Sequence, residues 1–286
     1  MRHMKLVIGL LMALVLLPRA NAQDAQRQVV EALSARSQGD QKVMIRGLLD
    51  QASQPNGNVL MVFPGWPGIP RIELRNGQPA FFYLQQHVER MRPALHAAGI
   101  SLLTVDCPTD QWGQRGPNPS ACDDEFRSSE AYADDVRRLI EQVRSQQTLT
   151  RFFAMGHSYG AISSHWLSLR LPDQLAGAIH SATQSIAAGG AFTGYAKSIG
   201  AFPHDQVRVP SIYLHHRDDL CRFTPYSFAQ RHGSPSRLIT VVGGNRWSDP
   251  CGKASYHSYD ERHEAVGPAL VRWINEGVVT PVAGTE

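Results

Sequence analysis

Seven short apolar runs punctuate the chain, at residues 43–49, 59–63, 100–105, 152–155, 176–180, 211–215 and 238–242. Several are apolar at nearly every position rather than at every second one, the pattern of strands covered on both faces. Between them, apolar residues recur with the helical period over 82–98, 129–147, 161–170 and 263–276. Strands alternating with helices predict an α/β fold, a mostly parallel sheet with helices on both faces. The helix opening at Ser129 shows the local logic. Ser129 caps it, Glu130, Asp134 and Asp135 load its first turns, Arg137, Arg138 and Arg144 follow, and Val136, Ile140 and Val143 form an inward stripe. The ends, 23–35 and 280–286, are expected to be mobile tails.

The run at 152–155 ends in Gly156-His157-Ser158-Tyr159-Gly160 and passes straight into the helical pattern that begins at Ala161. A serine hydroxyl is a poor nucleophile unless it is held clear of the backbone and beside a base, and a sharp strand-to-helix turn provides that exposure. Glycines two residues to either side of Ser158 suit a turn in which strand and helix pass too close for a Cβ. The first free amides of the helix converge there, which makes the N–H of Tyr159 one candidate oxyanion donor. A second comes from Phe63-Pro64-Gly65-Trp66-Pro67-Gly68, which follows the run at 59–63. Neither proline can donate, and the N–H of Trp66 is the candidate.

A carboxylate at a strand end can orient a histidine, and Arg217-Asp218-Asp219 follows the run at 211–215. Twelve histidines compete for the base. His157 belongs to the turn, His180 lies in a strand, His215 and His216 precede the acid loop, and His263 opens the last helix and is read as a surface residue. His257, in the loop between the last of the seven strands and the last helix, is the expected base. A metal site from His215, His216 and Asp218 is a weaker reading, because neighbours on a strand point to opposite faces.

Composition adds the compartment. Residues 1–22 hold Arg2 and Lys5, an apolar run over 6–17 and an Ala-Asn-Ala end, the layout of a secretory signal peptide. The run falls short of the roughly 20 residues a membrane anchor needs. Three of the 28 basic residues and none of the 25 acidic ones lie in that segment, so residues 23–286 balance to zero, which argues against a nucleic-acid partner. This length suits a single domain. Four cysteines in a chain bound for an oxidising compartment predict two disulfides, Cys107 with Cys122 and Cys221 with Cys251, each closing the nearer loop. The second would tie the acid loop to the base loop.

With Ser158, then Asp218 or Asp219, then His257 in chain order, the sequence resembles the α/β-hydrolase superfamily. The likeness runs from about residue 43 to residue 274. It implies an eight-stranded sheet and acyl transfer through a covalent serine ester. In the superfamily's Gly-x-x-Asp acid loop the glycine falls on His216, which puts the acid at Asp219. Pro64 stands where many lipases and esterases carry histidine, and His257-Ser258-Tyr259's neighbourhood resembles the His-Gly-Phe seen near the base of some bacterial members. The insert at 184–206 is shorter than the helical caps over deep lipid pockets, so a lightly covered site is expected. The resulting expectation is an exported serine hydrolase, periplasmic or secreted, that cleaves small carboxylic esters and calls for no cofactor or metal. The alternatives are a peptidase, amidase or perhydrolase on the same three residues, or a hydrolase-like domain that only binds.

Overall fold

The computed structural model describes residues 27–113, 122–187, 197–233, 235–245 and 249–286; the expected signal segment lies outside them. The strands are β1 Arg27–Leu33, β2 Met44–Asp50, β3 Asn58–Phe63, β4 Glu73–Arg75, β5 Gln78–Ala80, β6 Ser101–Val105, β7 Arg151–His157, β8 Leu175–Ser181, β9 Ser211–His216, β10 Leu238–Val241 and β11 Val282–Ala283. The helices are α1 Gln86–Ala97, α2 Asp124–Arg127, α3 Glu130–Gln146, α4 Ala161–Arg170, α5 Lys197–Gly200, α6 Tyr226–Gly233 and α7 His263–Glu276. Nine strands form one sheet in the order β1-β2-β6-β3-β7-β8-β9-β10-β11. The β1–β2 and β2–β6 pairs are antiparallel and the remaining pairs parallel.

Strand β3 shows why its run is apolar throughout. Val59, Met61 and Phe63 enter one buried cluster, with Val136, Leu139 and Ile140 of α3. Leu60 and Val62 enter the other, with Met91 and Leu95 of α1 and Leu270 and Trp273 of α7. Successive side chains of a strand point to opposite faces, so a sheet covered on both sides needs apolar residues at every position. Each such side chain, fully buried, contributes about 1.5–3 kcal/mol. At the start of α3, Ser129 Oγ accepts the N–H of Tyr132 (3.1 Å), the capping its sequence predicts.

Both chain ends differ from the expectation of mobile tails. Residues 27–33 pair along their whole length with β2, with Val30 and Ala32 buried. Arg27 bonds Asp50 (2.9 Å) and Glu89 (2.5 Å). At the other end, Val282 and Ala283 pair with β10 and make a ninth strand where eight were expected. Further elements lay beyond those expected: α2, α5, α6, and a β4–β5 hairpin turned by Asn76 and Gly77, both at positive φ. An Asn-Gly pair at positive φ is the usual signal of a type I′ hairpin, and it was present in the sequence. The helix expected over 82–98 begins only at Gln86, leaving Phe82 79% exposed on the lead-in. Of the short insert at 184–206, residues 188–196 fall outside the described part. Among the described residues no helix is long and apolar enough to cross a membrane.

Candidate active site

Ser158 sits between the end of β7 and the start of α4 with φ at 55°. A non-glycine residue held there costs on the order of 1–3 kcal/mol, and the surroundings impose it. A Cβ on Gly160 would stand 2.0 Å from the carbonyl oxygen of Phe63, and one on Gly156 would stand 2.1 Å from that of Gly160. Both obstacles are backbone. Gly160→Ala is therefore expected to cost more than about 4 kcal/mol, beyond the usual range for one substitution, and a thermal melt reads it directly.

The loop after β3 arrives beside the serine. A Cβ on Gly65 would lie 3.3 Å from Ser158 Cβ and 3.2 Å from the carbonyl oxygen of His157, so glycine keeps the space next to the hydroxyl open. Trp66 lies edge-on to Tyr159, with ring centroids 5.8 Å apart. The Tyr159 side chain is buried; its hydroxyl donates to the carbonyl of Cys122 (3.2 Å), and the Arg127 guanidinium lies 5.0 Å from the centre of its ring. Arg127, fully buried, also donates to the carbonyls of Gly68 (3.0 Å) and Cys122 (3.1 Å) and to Ser163 Oγ (2.8 Å). It thereby ties the loop after β3 to α4, a task that nothing in its local sequence announced.

The two aspartates after β9 part company. Asp218 turns outward to Arg217 (3.3 Å). Asp219 has a fully buried side chain, and its Oδ2 accepts His257 Nδ1–H at 3.0 Å and Thr224 Oγ1–H at 2.9 Å, while Oδ1 accepts the N–H of Cys221 at 2.9 Å. His215 Nε2 lies 3.3 Å from the same Oδ2 and 3.0 Å from the carbonyl of Thr224. Both neighbours accept, so Nε2 of His215 carries a proton. Burial by itself would raise the Asp219 carboxyl, but the hydrogen bonds and charges of His215 and His257 outweigh it and hold the group below its ordinary range.

A neutral His257 that donates from Nδ1 carries its lone pair on Nε2. His257 and Ser158 line one cavity of about 680 Å³, together with Gly65, Trp66 and Gln184. Gln184 donates its N–H to the carbonyl of Ser158 (3.2 Å) and steadies the turn.

The other histidines go elsewhere. His216 stacks on Tyr256 at 4.2 Å and reaches the carbonyl of Gly243 (2.7 Å), so it and His215 address different partners. His180 is buried against Ser164 Oγ (2.9 Å). His263, read as a surface residue, is buried and bonds the carbonyl of Ser258 (3.1 Å) because α7 packs its first turn against the base loop. His157 bonds Ser181 Oγ (2.9 Å), and its ring centroid lies 4.8 Å from that of His257 and 4.1 Å from that of His87. Burial, reinforced by neighbouring histidines, lowers His157 well below its ordinary value and His87 to about 3. Near neutral pH these two rings are therefore uncharged neighbours of His257.

Two bridges brace this arrangement. Cys107 pairs with Cys122, whose carbonyl holds Tyr159 and Arg127. Cys221 pairs with Cys251 (Cα atoms 4.7 Å apart), joining the loop of Asp219 to that of His257.

No protein-family model and no curated protein sequence matches the chain. Solved structures do. Est1E from Butyrivibrio proteoclasticus is 13% identical at a TM-score of 0.58, over 88% of this chain and 98% of that one. XC6422 from Xanthomonas campestris, described as an a/b serine hydrolase without lid, is 13% identical at a TM-score of 0.52, over 89% and 96%. The enol-lactonase from Burkholderia xenovorans LB400 is 13% identical at 0.52, over 82% and 97%. With this sheet order and these neighbours, the chain has the α/β-hydrolase fold.

Proposed function

We propose that the protein is an exported serine hydrolase of carboxylic esters, with Ser158 as nucleophile, His257 as base and Asp219 as the acid that orients it. The observation that carries this reading is the Asp219–His257 hydrogen bond at 3.0 Å, with His257 and the strained Ser158 both lining one cavity. His257 Nε2 takes the Ser158 proton as Oγ attacks the ester carbonyl. The N–H groups of Tyr159 and Trp66 receive the oxyanion, and the imidazolium, steadied by Asp219, returns its proton to the leaving alcohol. Water then repeats the sequence on the acyl-enzyme. The solved neighbours support this chemistry by their descriptions: a serine hydrolase without lid, an enol-lactonase, and Est1E, for which a complex with ferulic acid is described. Export is proposed from the first 22 residues, and the two cysteine pairs agree with it.

The test is covalent labelling followed by a substrate panel. A fluorophosphonate probe is expected to modify Ser158, located by peptide mass analysis, and 4-nitrophenyl esters to be hydrolysed faster than matched anilides. Labelling elsewhere would move the nucleophile away from Ser158, and no labelling would leave the fold with only a binding role.

A further inference from the structure

The walls of the cavity differ in chemistry, and the sheet order explains why. Ser158 follows β7; β3 lies on one side of it, β9 and β10 on the other. Loops from the first side bring Trp66 and the lead-in to α1 brings Phe82, 42% and 79% exposed. Loops from the second side bring Arg222 and Lys253, both exposed at the cavity edge. These two cations are held from one point. Arg222 directly follows Cys221 and Lys253 lies two residues beyond Cys251, and those cysteines are bonded. The loop under Arg222 is fixed further: the carbonyl of Phe223 accepts the N–H groups of Ser185 (2.9 Å) and Ile186 (3.2 Å). The guanidinium rests 4.7 Å from the Phe223 ring centre.

The nearby carboxylates do not neutralise this edge. Asp219 has no exposed side-chain surface and is taken by His215, His257 and Thr224. Asp249, exposed, also lines the cavity and accepts the N–H of Cys251 on Oδ1 (3.0 Å); its one negative charge against the two cations leaves the edge net positive. Arg217, just outside, is paired with Asp218 and Glu286. Arg222 and Lys253 form no ion pair with a described residue.

Resting on the hydrolase reading above, we infer that the substrate is an amphiphilic ester bearing a negatively charged group, whose apolar part lies against Trp66 and Phe82 and whose anion lies between Arg222 and Lys253. A bridge that fixes the acid and base loops would then also fix the spacing between the anion site and the nucleophile, so that recognition and chemistry share one brace. Charge recognition at an exposed edge is modest in size and sensitive to salt.

The experiment compares matched esters at low ionic strength. On the acyl side, 4-nitrophenyl hydrogen glutarate is set against 4-nitrophenyl valerate; on the alcohol side, 3-carboxyphenyl butyrate against phenyl butyrate. In at least one pair the anionic ester is expected to be favoured about 10-fold in kcat/KM, mostly through KM, with the preference falling severalfold in 0.5 M salt. In the double variant Arg222→Gln/Lys253→Gln the ratio within that pair should fall toward one. Neutral esters favoured in both pairs, or a preference that survives high salt, would overturn the inference; the salt series stands even should the variant fail to fold. Fluorophosphonate labelling of Ser158 with equal turnover of charged and neutral esters sinks this inference alone. Absence of both labelling and turnover sinks the hydrolase reading beneath it.

Discussion

Ser158→Ala is expected to lower turnover of any ester the protein accepts by on the order of 10⁶-fold, with KM little changed, because in the proposed mechanism it removes the atom that bonds the acyl group. What survives reflects only binding and the oxyanion donors, about 10³–10⁴-fold over water. The folded state should not suffer. Ser158 holds φ at 55°, an angle that glycine alone adopts without penalty, so Ser158→Gly should melt above Ser158→Ala by an amount worth about 1 kcal/mol. The pair separates chemistry from structure: both variants are expected to be inactive, with the one lacking a Cβ the more stable. Steady-state kinetics with a matched thermal scan gives both readouts. Alanine retaining more than a thousandth of the activity would mean that another group attacks the carbonyl.

What the sequence disclosed follows from the reach of each interaction. The turn around Ser158 was legible because its demand is local: two glycines within two residues, forced by carbonyl oxygens at 2.0 and 2.1 Å. The central strands were legible because burial on both faces leaves a continuous apolar run, as in β3. Strand β1 was not, because it lies at the edge of the sheet; only Val30 and Ala32 are buried while Arg27 and Glu31 reach out to partners. Helix α6 buries little beyond Ala229 and Gly233, too narrow a stripe to announce a helix.

In the site, chain order pointed to the aspartate loop but could not tell neighbours apart. Asp218 and Asp219 differ only in which way the loop turns them, and that is fixed by contacts at a distance: Cys221 to Cys251, and Thr224 folding back under His257. Thr224, Arg127 and Gln184 were invisible for the same reason. Each acts through a partner more than 20 residues away, Arg127 on Gly68, Thr224 on His257 and Gln184 on Ser158. Pattern within a window of ten residues holds no trace of such a bond.

That distinction between neighbours yields the other large effect. Asp219→Asn is expected to lower kcat by up to about 10⁴-fold, whereas Asp218→Asn should leave it within a few-fold. An amide at 219 can turn its NH₂ toward His257 Nδ1, which favours the tautomer with the proton on Nε2 and removes the lone pair that must accept the serine proton. It also removes the charge that stabilises the imidazolium as it forms. Asp218, exposed and paired with Arg217, has no such role to lose.

Stability supplies a second, independent signature. The Asp219 carboxyl is depressed in the folded state, so the unfolded chain binds its proton more readily. Its contribution is therefore fully present above the ordinary unfolded value of about 4 and is lost as pH falls through the lower folded value. The gap in unfolding free energy between wild type and Asp219→Asn, of about 1.5–3 kcal/mol for bonds to a charged group, should hold from pH 5 to 8 and close in stronger acid. A gap that widens in acid, or an Asp218→Asn variant that alone loses turnover, would move the carboxylate role away from 219.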